Sequence, residues 1–498
     1  MTRFLVLFLF LIWMAWRPDG APRPISALLN SQLVLFFGFY LFLIGTLALW
    51  SRLLARRVRG TALHRQMRYF DRVIFASRLM VLAWFAVGVF FLGWGELVYA
   101  MMGRLNRFPI QLPHTIVGTL PCLLAWMALW WSQYPADRAL REQNMMVQFD
   151  EELPLRRPPT FASFFLLNLR LQILFTAVPL LLILLLHDTA MIALRITGIA
   201  RYPSDALEGA VTLLSALVVF IRAPVIIRRV LQTQSLPDGA LRRRLEAFCR
   251  EHNLKYRDIL IWQTNHNLGN AAVMGIIPQV RYILMSDLLL ETMTPEQIEA
   301  VFAHEVGHIV HRHMIWYLVF FKGVMLALAA VALLVEFYLR FVHLPGWLPT
   351  DLLMTLAGAG GFLVAFGFVS RRFERQADVF AARQMERRAT TQLALSSTVN
   401  PCHVGPYGAR IFSSALQKVA LINGMPITGP LWRNWCHGSI DTRMRYLLKI
   451  SEDPAQTRQF DRWMRTLYAA LVTALLIVGG LWIIVQFTGV LHANVAPI

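Results

Sequence analysis

Five consecutive residues, His304-Glu305-Val306-Gly307-His308, have the types and spacing that water-splitting chemistry asks for. On a helix with 3.6 residues per turn, His304 and His308 lie about 40° apart on one face and about 6 Å apart along the axis, so two imidazoles can converge on one ion. Glu305 sits about 100° round from His304, near enough to reach a water on that ion but badly placed to be a ligand. Two neutral nitrogen ligands, an open coordination position and a carboxylate beside it are what metal-assisted hydrolysis needs. The segment Thr294-Pro295-Glu296-Gln297 upstream supplies a Thr N-cap, Pro at the first helical position and Gln three residues after the cap, so a helix is predicted to start there and carry the motif.

A tetrahedral zinc site needs a third protein ligand. His311 shares the face but lies about 10 Å up the axis from His304, and His313 is worse placed; both are expected to be interface or core-capping histidines. The metzincin spacing requires His where the chain has Met314, which excludes that class. Glu374 and Asp378 remain, four residues apart and therefore on one helix face. One can bind metal while the other accepts a hydrogen bond from a ligand imidazole. The plainer alternative is a salt-bridged helix face, since Arg371, Arg372 and Arg375 are adjacent.

The elements that must position these groups belong to a membrane protein. The 498 residues are 57% apolar and 15% charged, with a mean hydropathy of +0.51, which argues against an ordinary soluble enzyme and excludes intrinsic disorder. Apolar stretches long enough to span fall at 33 to 50, 75 to 98, 115 to 132, 162 to 186, 208 to 227, 316 to 339, 351 to 369 and 467 to 488, the fifth with Arg222 and Pro224 inside it. Residues 4 to 16 form a short first segment, read as an uncleaved span rather than a signal peptide because Trp13 and Trp16 stand where a cleavage site wants small residues. Seven arginines between residues 51 and 73 place that loop in the cytoplasm. Alternation then puts 229 to 315 and 370 to 466 on the same side.

The net charge of +19 would by itself permit a nucleic-acid binder, but in a multi-span chain it signals basic cytoplasmic loops, and no nucleic-acid partner is expected. Cys122, Cys249, Cys402 and Cys436 show no paired spacing, which excludes a disulfide-built module and points to unpaired thiols. Arginines far outnumber the four lysines, a bias that suggests a G+C-rich bacterial genome and so the inner membrane. In the polar parts, a helix is predicted near 238 to 252 and strands at 258 to 264, 270 to 274 and 281 to 285.

With H-E-x-x-H followed by E-x-x-x-D, residues 240 to 450 resemble the integral-membrane zinc metallopeptidases that include the HtpX heat-shock protease and the CAAX prenyl endopeptidase, which are gluzincins. The resemblance implies that His304, His308 and Glu374 bind one zinc ion per chain, that Glu305 is the general base and then acid, and that Asp378 orients His304. It also implies that Asn270 and Ala271 belong to an edge strand pairing with substrate backbone, and that His437 and Arg443 steady the substrate or oxyanion. Gly438 stands where the family usually has Pro, and the span at 467 to 488 is not expected of either relative.

The fold class expected is a multi-span all-α membrane protein with a small cytosolic α+β gluzincin-like domain. Its parts are a membrane region 1–232, a catalytic segment 233–314 with the metal helix, a transmembrane hairpin 315–369, a second catalytic segment 370–465 and a terminal span 466–498. The function expected is zinc-dependent endoproteolysis of membrane-associated or misfolded polypeptides, in contact with the bilayer. The alternative is a transporter or scaffold with a structural zinc site, motivated by Arg170 and Arg222 within spans.

Overall fold

The computed structural model describes residues 2–18, 24–29, 31–58, 63–103, 110–150, 158–198, 204–339, 350–392, 403–425, 427 and 435–488. The N-terminal region is wholly helical: α1 (Thr2–Ala15), α2 (Ile25–Leu28), α3 (Ser31–Arg57), α4 (Leu63–Phe90), α5 (Trp94–Met102), α6 (Leu112–Asp150), α7 (Phe161–Asn168), α8 (Phe175–Ile196) and α9 (Asp205–Val230). A π-helical turn over Leu169–Leu174 joins α7 to α8, so those two make one span. Pro224 lies inside α9, which runs unbroken past it.

Among the described residues, seven helices are long and apolar enough to cross a membrane, and the chain is a multi-pass membrane protein. Six of the spans expected from hydropathy up to residue 339 fall on these helices. α1 is shorter, and it buries Leu5, Val6, Leu9, Phe10, Ile12 and Trp13 in the same core as α3, α4 and α6. Arg170 donates to Gln232 Oε1 at 2.6 Å, a partner that gives this charge a structural role.

After α9 the pattern changes to β1 (Thr233–Ser235), α10 (Ala240–Glu251), β2 (Asp258–Trp262), β3 (Ala271–Met274), β4 (Tyr282–Ser286) and α11 (Asp287–Thr292). The strands form one sheet in the order β1-β2-β4-β3, with β2 and β4 parallel and the outer strands antiparallel to their neighbours. β4 is buried along its whole length, as its apolar residues require at the centre of a covered sheet. β3 is an edge strand. The predicted strands appear within two residues of their expected bounds, and β1, three residues long, carries too little pattern to be read from sequence.

Helices complete the molecule: α12 (Pro295–Val310), α13 (His313–Leu339), α14 (Thr350–Gln392), α15 (Pro406–Ile422), α16 (Ile440–Ser451) and α17 (Pro454–Thr488). The apolar stretch 351 to 369 is the first half of α14, which continues without interruption through Glu374 and Asp378. One core joins the sheet to these helices, with Phe248, Phe302, Phe373 and Phe412 wholly or almost wholly buried. Each such ring contributes about 1.5–3 kcal/mol by leaving water, so α12 and α14 are held by packing and do not depend on an ion to meet.

Candidate metal centre

α12 begins as its sequence requires: the Thr294 side chain accepts from the Gln297 backbone, the Gln297 side chain answers to Thr294, and Pro295 takes the first helical position. About three and four turns later, His304 and His308 face α14. Gly307 lets the two helices touch, because a Cβ there would lie 3.1 Å from Phe380 Cδ1 and 3.2 Å from Ala377 Cα. Across that contact stand Glu374 and Asp378, both buried.

The ring nitrogens His304 Nε2 and His308 Nε2 are 3.2 Å apart. Glu374 Oε2 lies 3.6 Å from the first and Glu374 Oε1 lies 3.7 Å from the second. The three side chains form the one grouping among the described residues in which ligand atoms from His, Cys, Asp or Glu converge, all within 4.8 Å. Tetrahedral zinc with bonds of about 2.1 Å separates its ligand atoms by about 3.4 Å, close to the three distances seen. Two imidazoles and one carboxylate are also a common ligand set of catalytic zinc, so the residues fit the ion.

Behind the cluster, Asp378 Oδ1 is 3.0 Å from His304 Nδ1. Arg443, from α16, clasps the same carboxylate with Nε at 2.8 Å and Nη2 at 2.5 Å. Its Nη2 is also 3.8 Å from Glu374. His437 sets Nδ1 2.9 Å from Glu374 Oε1 while its side chain remains 67% exposed. Gly438 follows in the left-handed region, φ +79°, a conformation open to glycine and closed to the proline expected from the resemblance.

The charges follow from this geometry. Burial opposes a charge on His304, but Asp378 and Glu374 prevail and raise its pKa to about 9. Burial governs His308 and lowers it to about 3. Burial would raise Glu374, yet His437 foremost, with His304 and His308, holds it well below the usual carboxylate range. Asp378 is likewise buried and is lowered by Arg443. Glu305 moves the other way, raised by burial.

The structure thus brings together His304, His308, Glu374, Asp378, His437 and Arg443, with Glu305 within electrostatic reach of His304, Glu374, His437 and Arg443. Asn270 and Ala271 stand at the start of the sheet edge, on the strand that packs against α12. Asn270 is tied to β4, its N–H donating to Ser286 Oγ at 2.9 Å and its carbonyl accepting from Ser286 N at 2.9 Å. Alternation along an antiparallel strand then turns the backbone groups of Ala271 and Val273 towards the open edge.

Sequence reasoning missed three residues. His313 is buried and its Nδ1 sits 2.8 Å from His308 Nδ1. Gln376 and Tyr468 continue from it. The spacing rule that removed His313 from ligation was sound, but it says nothing about a ring lying behind a ligand. His311 is the C-cap residue of α12, its backbone N–H donating to the Gly307 carbonyl.

Residues 235–449 match the profile of peptidase family M48. Among solved structures, the crystal structure of S. mikatae Ste24p aligns with 86% of this chain and 100% of its own at 14% identity, with a TM-score of 0.46. No curated protein matches the chain.

Proposed function

We propose, from the match of residues 235–449 to the profile of peptidase family M48, that the chain is a zinc-dependent endopeptidase of the membrane whose site opens to the cytoplasm. The observation that carries this reading is the convergence of His304, His308 and Glu374 from two helices within 4.8 Å. These three residues would hold one zinc ion per chain. When bound, zinc supplies a Lewis acid for the scissile carbonyl and for the attacking water.

The chain's own residues supply the rest. Glu305 takes the proton of the attacking water and returns it to the leaving amine, a double role that suits a carboxyl whose pKa burial has raised. Asp378 fixes His304 with its proton on Nδ1, leaving Nε2 for the ion. Arg443 is engaged by Asp378, so its part is to anchor that carboxylate, and exposed His437, whose Nδ1 pairs with Glu374 Oε1, would donate to the developing oxyanion through Nε2. Substrate backbone would add to β3 at its open edge, with Ala271 offering N–H and C=O and Asn270 an exposed side chain.

Segments 233–314 and 370–465 make one catalytic unit in this reading, tethered by the helices between them. Its substrates are membrane-associated or misfolded polypeptides, because α13, which follows the metal helix almost directly, is long and apolar enough to cross a membrane. Purified protein should carry about one zinc per chain, and Glu305→Gln should keep the metal while losing peptide cleavage by at least about a hundredfold. Undiminished cleavage by that variant would overturn the role of Glu305. Glu374→Ala should lower zinc occupancy, and unchanged occupancy would remove it from the ligand set.

A further inference from the structure

His308 has a second ring nitrogen, and what stands behind it is not a carboxylate. The chain leaves α12 through Arg312, whose φ of +54° is rare for a residue with a side chain, and this turn swings His313 back against the metal helix. His313 Nδ1 meets His308 Nδ1 at 2.8 Å, and His313 Nε2 meets Gln376 Oε1 at 2.9 Å. The hydroxyl of Tyr468, from α17, donates to that same oxygen. Phe373 stacks on the His313 ring at 4.5 Å and 3°, and Trp316 stacks on Tyr468 at 4.3 Å, so both rings are held in plane.

Proton accounting gives this chain a direction. A His308 that ligates through Nε2 carries its hydrogen on Nδ1, so His313 must accept at Nδ1. His313 then carries its own hydrogen on Nε2 and donates to Gln376 Oε1, which has two lone pairs and receives Tyr468 as well. Every hydrogen is placed once. If His313 instead held its hydrogen on Nδ1, two N–H groups would face each other at His308.

We propose that His313, Gln376 and Tyr468 are positioning residues that lock His308 in the tautomer with a free Nε2, making the last helix, α17, a support of the metal centre. This rests on the reading of His308 as a ligand, and the test separates the two. Zinc affinity of the full chain is measured by chelator competition, together with the visible spectrum of the cobalt-substituted protein, for His313→Leu, His313→Asn, Tyr468→Phe and the double variant of the last two.

His313→Leu removes the acceptor and should weaken zinc about tenfold to a hundredfold and shift the cobalt bands. His313→Asn sets an amide oxygen where Nδ1 stood and should retain most of the affinity. Tyr468→Phe, which deletes one oxygen, should weaken zinc alone but add nothing on top of His313→Asn, where the connection to Gln376 is already cut. Equal losses in His313→Leu and His313→Asn, or full affinity and unaltered cobalt bands in both His313→Leu and Tyr468→Phe, would overturn the relay while leaving the metal reading in place. A wild-type protein that takes up no zinc would instead defeat the metal reading itself.

Discussion

His304 and His308 are the same residue type, 3.2 Å apart through their Nε2 atoms, yet their surroundings drive them in opposite directions. His304 is backed by a carboxylate that Arg443 holds ionised, and its pKa rises to about 9; His308 is backed by neutral groups, and burial takes it to about 3. At pH 7 the metal-free protein therefore carries a proton on His304 and none on His308. Zinc must displace that proton, so binding at pH 7 should release about one proton per ion and affinity should fall as pH drops below about 9. Calorimetry in buffers of different ionisation enthalpy checks this, and a release of zero would contradict the assigned state of His304. Arg443→Met should destabilise the metal-free protein by less than the cost of a fully unpaired buried charge, about 3–5 kcal/mol, because it leaves the Asp378 carboxylate with protonated His304 as its remaining partner; the shift of the thermal or denaturant transition measures it. The candidate metal residues were legible in the sequence because His304 and His308, and likewise Glu374 and Asp378, stand four residues apart, where spacing alone fixes a helix face. His313 was not legible, since a continuous helix would set it about 140° round from His308 and only the turn at Arg312 brings it back.

At the level of elements, the site depends on how closely α12 and α14 approach. Gly307 is the point of contact, and helix propensity alone would favour Ala there by about 1 kcal/mol. The neighbours at 3.1 and 3.2 Å include backbone, which cannot rotate away. Gly307→Ala should therefore destabilise by about 1–3 kcal/mol and lower zinc affinity by opening the gap between ligands, both measurable on the same purified variant. Arg312→Gly should act in the other direction, relieving a left-handed conformation worth about 1 kcal/mol, with a higher melting transition as the check. The metal helix and the three longer strands could be read from caps, turn residues and apolar runs. β1 could not, nor could the unbroken continuity of α14 across residues 369 and 370, because a polar surface following an apolar one looks the same in sequence whether the helix stops or runs on.

On the scale of the whole molecule, the six stretches expected up to residue 339 and the one at 467 to 488 fall on the seven described helices long and apolar enough to cross a membrane, about 20 apolar residues per span being a requirement of the bilayer itself. By contrast α14, which carries 351 to 369, is not among the seven. Orientation rests on the arginine-rich loop at 51 to 73. Asp238 is fully exposed at its side chain and lies in the proposed catalytic unit, so Asp238→Cys in a background lacking Cys402 and Cys436 should react with a membrane-impermeant maleimide only in inverted vesicles. Labelling from the outer face would reverse the topology.

The longest helix carries a mechanical consequence. α14 is one rod of 43 residues, and about 36 Å separates Thr350 from Glu374 at 1.5 Å per residue. A change of tilt of only about 3° about the Thr350 end would carry the carboxylate about 2 Å sideways, several times the displacement of about 0.5 Å that a working site tolerates. Hydrolysis should accordingly pass through a maximum as the acyl chains of a reconstituting lipid are lengthened, with slower turnover in thinner and thicker discs alike. An enzyme built on such a lever would gauge the thickness of the sheet it sits in.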